Sequence, residues 1–469
     1  MQQFQTESSP ANTSALMLLA GLGSSIILLV VFLGMRSQLT TAVLGLYALG
    51  CLWLSLKMPV STVGLYWLLM IVPNLFMLSP VHEEMDPYFY SMKPSDVLLV
   101  IMSAATLVRL VRFSSRPKTS TIVLGLLAAL FLALVAYGVT RNLERYGIRA
   151  PGEFRHRYLV IGASLYVATV FDSPEARLRL LRTLSSLTVF VIFAAMPVVA
   201  IVSSWTPGSG ERLFPADVSL TFLFGLAAIL LLKWNGLRFM ENSIAYLSVP
   251  FGILQIVLDN HRSVWLAAIV VIAFLLITKQ VSMLRLTAAL GVLVLVSLAG
   301  KALVSANQGR SFGEFMTERA MAFTNPEADG TASWRIQQWE IQMPKFRENP
   351  VFGIGLGGYW GTDDNLVAGN LGVMPHNYYV GTLVKLGATG LAAYAATVIT
   401  LTVLLIAALR SGFLAVSDRV IAMLAMLVIF GAHAYYSAYW IDATSWIWIG
   451  LGAAVCIHMR RTLWLVSYD

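Results

Sequence analysis

Charge is scarce in this sequence. Only 12% of its 469 residues are Asp, Glu, Lys or Arg, against 58% hydrophobic, so a water-soluble fold that hides its apolar residues in one core is excluded. The implied fold class is an all-α integral membrane protein, nearly all of it in lipid. Cysteine is almost missing too. Cys51 and Cys456 both lie inside apolar runs, where they pack as small hydrophobes and are too few for a metal cluster, so neither redox nor zinc chemistry is implied. No Lys or Arg precedes Arg36; the basic region of a cleavable signal peptide is lacking, and the first span is expected to be retained. No internal repeat, coiled coil or disordered tail stands out.

What is present is a series of apolar runs, each of about 17 to 25 residues, the length that crosses a bilayer as a helix. They fall near 16–35, 39–56, 60–79, 95–112, 120–138, 157–171, 183–204, 217–233, 243–259, 262–279, 283–303, 376–409, 419–439 and 441–459. The sixth is short and the twelfth over-long, so a re-entrant or kinked segment can lower the number of transmembrane helices from fourteen to twelve or thirteen. The chain reads as one polytopic membrane domain, 1–469, with an embedded loop at 304–375.

The net charge of +8 first suggests cytoplasmic anchoring and second an anionic ligand. Placing both termini in the cytoplasm puts Lys57, Arg109, Arg112, Arg116, Lys118, Arg177, Arg179, Arg182, Lys233, Arg238, Lys279, Arg285, Arg410, Arg419, Arg460 and Arg461 inside, so every inner loop is basic, as the positive-inside rule requires. Two outer segments break the rule: 141–157, and 304–375 with Arg310, Arg319, Arg335, Lys345 and Arg347. Long outer loops translocate regardless of charge and can simply face anionic lipid. The functional alternative is an anionic substrate, and arginine forks suit phosphate best.

The stretch 331–390 concentrates the polar signals. Ile336, Trp339, Met343 and Phe346 recur at spacings of three and four, which predicts an amphipathic helix capped by Thr331 or Ser333 and stopped by Pro344 and Pro350, one face on lipid and the other presenting Arg335. Gly353, Gly355, Gly357 and Gly358 make a turn-rich run. Pro375-His376-Asn377 opens the next apolar helix, placing His376 within its first turn. Upstream, Asp259-Asn260-His261-Arg262 is a polar hairpin between two spans. Each candidate has a plain alternative: Arg262 as a snorkelling or salt-bridged side chain, Arg335 on a solvated helix face, His376 as a satisfied polar residue. Together they point further. A helix N-terminus and nearby arginines disfavour the imidazolium of His376, leaving a neutral general base with cationic neighbours able to stabilise a departing diphosphate. No nucleotide is available on the outer face, so the energy for bond formation has to arrive in the substrate, as it does in a lipid-linked diphosphate sugar.

Weaker signals surround these. The run GIGLGG resembles a nucleotide-binding fingerprint but lacks a βαβ setting; close backbone approach between loop and helices is its better use. His82-Glu83-Glu84-Met85-Asp86 and Asp363-Asp364 can hold a divalent cation or merely be solvated loops. His433, Tyr435, Tyr436, Tyr439 and Trp440 read as an aromatic belt at the membrane interface, with ring faces that can also stack on sugars. Lys385 is the main ionisable residue within a span, the feature a transporter or flippase would use.

At these residues the sequence resembles the O-antigen ligase and O-antigen polymerase superfamily of the bacterial envelope. The resemblance runs through roughly the C-terminal half: Arg262 to Leu266 as R-x-x-x-L, Arg335 with Trp339, Pro350 and the G-x-G turn, and Pro-His-Asn at 375–377, followed by three spans. Val380 departs from the leucine of many relatives, and the count of apolar runs exceeds the twelve spans typical of ligases. The resemblance implies a GT-C-like membrane glycosyltransferase of the bacterial inner membrane, acting at the periplasmic face without metal, cofactor or nucleic acid. Arg262 and Arg335 would hold the diphosphate of an undecaprenyl-linked glycan donor, and His376 would stand beside the acceptor hydroxyl. Asn377 is a candidate to orient His376, and Arg155 and Arg157 to complete the diphosphate site. The acceptor is the lipid A core for a ligase, or a second lipid-linked glycan for an O-antigen or exopolysaccharide polymerase; a protein-glycosylating transferase of the same superfamily differs only in acceptor.

Overall fold

The computed structural model describes residues 38–75, 94–112, 119–147, 150–151, 153–154, 158–201, 216–258, 261–278, 291, 330–357, 377–437 and 442–458. Over these residues the protein is all-helical, with thirteen helices. They are α1 (Gln38–Lys57), α2 (Pro59–Leu75), α3 (Pro94–Arg112), α4 (Thr119–Tyr146), α5 (Ile161–Val170), α6 (Pro174–Ile201), α7 (Ala216–Trp234), α8 (Asn242–Leu258), α9 (Arg262–Ile277), α10 (Gly330–Glu348), α11 (Tyr378–Arg410), α12 (Val416–Tyr436) and α13 (Ala443–His458). Twelve of the fourteen predicted apolar runs coincide with α1–α9 and α11–α13; the runs at 16–35 and 283–303 lie outside the described residues.

Four helices are long and apolar enough to cross a membrane by length and composition: residues Ile122–Tyr146, Pro174–Ala195, Tyr378–Arg410 and Val416–Tyr436, with shorter apolar helices beside them. Their outer surfaces carry Leu126 and Ile399, exposed by 64% and 61%, which only a hydrocarbon surrounding tolerates in such numbers. The core between them holds Tyr66, Trp67, Tyr166, Tyr435 and Trp448, all fully or almost fully buried, with α12 the most enclosed of the long helices. Small residues let helices touch. A Cβ at Gly450 of α13 would stand 2.7 Å from the Ser164 carbonyl of α5, a close approach of the kind that drives helix association in lipid.

The two irregular spans account for the ambiguous count. The sixth run yields α5, ten residues or about 15 Å long, too short to cross a bilayer. The twelfth yields α11, broken at Gly387 (φ 71°, ψ −173°). Across that break the rings of Tyr378 and Tyr394 have centroids only 5.1 Å apart, whereas sixteen residues of straight helix span about 24 Å. The arm before Gly387 therefore folds back along the arm after it.

A buried ion pair ties one end of the bundle. Arg177 Nε and NH2 donate to Asp418 Oδ1 and Oδ2 at 2.8 and 2.7 Å, and NH1 donates to the carbonyls of Phe171 and Asp172. The starts of α6 and α12 thus lie together, and His433 and Tyr436, near the far end of α12, belong to the opposite end. Thr221, near the start of α7, hydrogen-bonds Thr444, near the start of α13, at 2.8 Å, so α7 also begins at that opposite end. The links 235–241 and 259–261 are short enough that α8 returns and α9 begins where α7 does.

Candidate active site

The glycine-rich run is where the fold becomes specific. Breaking α11 at Gly387 frees carbonyls at the end of its first arm and amides at the start of its second, which cannot be left bare in an apolar setting. Residues 350–355 satisfy them. Ile354 N donates to Val384 O at 2.9 Å and Gly355 N to Lys385 O at 2.9 Å, while Ala388 N donates to Pro350 O at 2.8 Å and Thr389 N to Val351 O at 3.2 Å. The Thr389 hydroxyl adds a second donor to Val351 O at 2.7 Å. Backbones this close exclude side chains. A Cβ on Gly353 would stand 2.5 Å from the carbonyl carbon and oxygen of Lys385, and one on Gly387 would collide with Val351 O. Both residues have φ in the left-handed region, 66° and 71°, which glycine alone adopts without strain.

The other side of the run is stitched to α4. Arg141 NH1 donates to Gly353 O at 3.0 Å and NH2 to Asn349 Oδ1 at 3.2 Å. Asn142 Nδ2 donates to the carbonyls of Ile354 and Leu356 at 2.8 and 2.7 Å, and Leu356 N donates to Gly138 O at 3.0 Å. Beyond it Gly357 N donates to Glu153 Oε2 at 2.6 Å, and the same oxygen accepts from Lys385 Nζ at 2.9 Å. Glu153 and Lys385 are 2% and 0% exposed. The two segments whose cations break the positive-inside pattern, 141–157 and 304–375, are therefore clamped together. Arg141 is committed to the scaffold, and Lys385 answers a buried carboxylate, which removes it as the free charge a transporter would need.

The second arm of the site starts at Asn377. Its backbone is extended (φ −162°, ψ 111°) and its Oδ1 accepts from the amides of Tyr379 and Val380, an N-cap geometry. Nδ2 donates to Ser437 O at 2.9 Å, tying the start of α11 to the end of α12. This corrects the expectation for His376: the helix starts at Tyr378 with Asn377 as cap, so His376 precedes the cap rather than sitting in the first turn, and its placement lies outside the described residues. Around the cap the aromatic residues face inward. Tyr435 and Tyr436 are fully buried, so no lipid-facing belt includes them. Tyr436 lies 5.6 Å from Tyr378 and from His433, ring to ring. His433 Nδ1 lies 2.6 Å from Ile429 O, which requires the proton on Nδ1 and leaves Nε2 to accept from the Tyr394 hydroxyl at 3.2 Å. Asp442 accepts from the Tyr436 hydroxyl at 3.1 Å, the Thr444 hydroxyl at 2.7 Å and the Ser445 amide at 2.8 Å. Tyr439 and Trp440 lie outside the described residues.

Arg262 is the first residue of α9, with His261 as its extended N-cap (φ −85°, ψ 103°), at the same end of the bundle as Asn377 and Asp442. Arg335 lies in α10, which differs from expectation in where it ends. The helix runs through Pro344 to Glu348, since a proline forfeits one amide bond and the turn on its far side can still close. Its inward face is polar. Gln338 and Gln342 are 2% and 1% exposed, while Ile336 is 39% exposed. Arg335 shares the register of Gln338 and Gln342 at spacings of three and seven, so its position falls on the enclosed face. The side chains of Arg262 and Arg335, the residues Arg155 and Arg157, and the acidic clusters at 82–86 and 363–364 lie outside the described residues. Among the described residues no group of three His, Cys, Asp or Glu gathers as metal ligands.

One segment, 247–395, holds most of α8, all of α9 and α10, the glycine run, the cap and the break in α11. Residues 247–395 match the family model of the O-antigen ligases, Wzy_C. No curated protein matches the chain. The matched segment covers about a third of the sequence and includes Arg262, Arg335, His376 and Asn377, while Arg155 and Arg157 fall before it. Its partners Asn142 and Glu153 also lie before it, so the scaffold of the matched segment is completed from α4 and the residues after it. Sequence reasoning missed Glu153, Asn142, Gln338 and Gln342. A signal existed for the first: an acid outside the matched stretch and a lysine inside an apolar run need each other once both are buried.

Proposed function

We propose that the protein is a membrane glycosyltransferase of the O-antigen ligase type, moving a glycan from an undecaprenyl diphosphate carrier to an acceptor hydroxyl. His376 takes the proton from that hydroxyl. The oxygen attacks the anomeric carbon, the new carbon–oxygen bond forms as the bond to the diphosphate breaks, and the configuration inverts in a single displacement. Arg262 and Arg335 stabilise the charge that gathers on the departing diphosphate, with Arg155 and Arg157 as additional cations of the same pocket. Asn377 acts on His376 through the backbone it pins. The enzyme sits in the bacterial inner membrane with both termini in the cytoplasm and the site on the periplasmic face, the orientation that leaves every inner loop basic.

The observation that carries this reading is that the O-antigen ligase match encloses both arginines and the histidine. Further support comes from α9 starting at Arg262 and α11 starting at Tyr378 at one end of the bundle. The acceptor is the lipid A core or a second lipid-linked glycan; a ladder of product lengths on a gel marks a polymerase, and a single transfer marks a ligase.

Donor binding tests the arginines. Arg262→Ala and Arg335→Ala are each expected to weaken binding of the lipid-linked donor by about 2 to 5 kcal/mol, the cost of truncating one member of a desolvated charge pair. Binding unchanged in both variants would remove the diphosphate site from these residues.

A further inference from the structure

On the enclosed face of α10 stand two polar atoms without a hydrogen-bond partner among the described residues. Gln342 is 1% exposed, and among the described residues its Oε1 has no hydrogen-bond partner; nor has the indole Nε1 of Trp339 three residues earlier. Leaving a buried amide unpaired costs about 1 to 3 kcal/mol, and such orphans in a native fold call for a ligand or a function. Other buried atoms without a partner among the described residues include Trp67 Nε1 and, three residues apart on α6, Arg182 Nε and Ser185 Oγ. The two on α10 differ because they share a helical face with the position of Arg335.

The chemistry of the pair is that of carbohydrate recognition. A carboxamide offers two donors and an acceptor to vicinal hydroxyls, and an indole offers a stacking face beside its N–H. Spacing agrees. Gln342 stands about 10.5 Å along the helix axis from Arg335, within reach of sugar rings attached to a diphosphate held at that arginine. Gln338, 2% exposed, lies between them. Resting on the reading of Arg335 as a diphosphate ligand, we infer that Gln342 and Trp339 form a binding subsite for the glycan of the donor, contacting its first sugars while the arginine holds the phosphate.

Three measurements on the full-length protein in nanodiscs test this, with Gln342→Met and Trp339→Phe as variants. The probes are undecaprenyl diphosphate without sugar and the same carrier bearing an oligosaccharide. Gln342→Met removes the partnerless amide oxygen at nearly constant volume, so the ligand-free unfolding midpoint should rise; a fall would mean that this oxygen is bonded within the chain and would overturn the inference. Both variants should bind the sugar-free carrier as the unsubstituted protein does and the glycan-bearing carrier about tenfold more weakly. Equal weakening for both probes, or for neither, overturns the subsite alone. If the unsubstituted protein binds neither probe, the donor reading itself falls.

Discussion

Lys385 and Glu153 meet where water does not reach, at 0% and 2% exposure, and the carboxylate also holds the Gly357 amide. Removing one partner from such a pair strands the other charge. Lys385→Met is expected to cost about 3 to 5 kcal/mol of stability, read from unfolding midpoints in detergent. Glu153→Gln keeps an oxygen for Gly357 N–H and should cost less, about 1 to 3 kcal/mol. Combining the two should recover part of the loss; a double variant as unstable as the sum would mean that the two side chains act independently. At this scale the sequence was legible in kind but not in pairing. Lys385 stood out as a charge in an apolar run, yet its partner lies far along the chain, and no spacing rule reaches across that separation. Gln338 and Gln342 were invisible for another reason: glutamines near the water-facing end of a bundle read as surface until a neighbouring helix covers them.

The elements were easier to read than their ends. Apolar runs located the helices because a span in lipid must be apolar along its whole length, and that constraint leaves little freedom. The break in α11 was legible only as excess length. Gly387 marks it, since the backbone there (φ 71°, ψ −173°) is essentially closed to any other residue. Pro344 misled for a physical reason: a proline stops a helix only when nothing else holds the turns on either side, and α10 is held by packing on α11. The glycine run and the break form one unit, because residues 350–355 hydrogen-bond the frayed ends of α11. Gly387→Ala should therefore destabilise the protein by more than the about 1 to 3 kcal/mol of backbone strain alone, because the new methyl also meets Val351 O. Limited proteolysis within 350–357 checks it: accelerated cleavage is expected there, while unchanged cleavage and an unchanged midpoint would mean that the break tolerates a side chain.

At the scale of the whole molecule, the bundle is locked at one end by Arg177 and Asp418 and carries its candidate site at the other. Asp418→Ala leaves a buried guanidinium without its counter-charge and should lower stability by about 3 to 5 kcal/mol, while donor affinity in the folded fraction stays the same; a loss of affinity without a loss of stability would contradict this separation. The fold class and the resemblance to the O-antigen ligases were both legible, the first because lipid dictates composition, the second because Arg262, Arg335 and His376 occur in an order that the matched segment encloses. The central claim is that His376 takes the acceptor proton while the arginines hold the donor. Its most direct test is single-turnover glycan transfer by purified His376→Ala with donor binding measured on the same sample. The account predicts that binding persists and product formation is lost; transfer at the unsubstituted rate would contradict it.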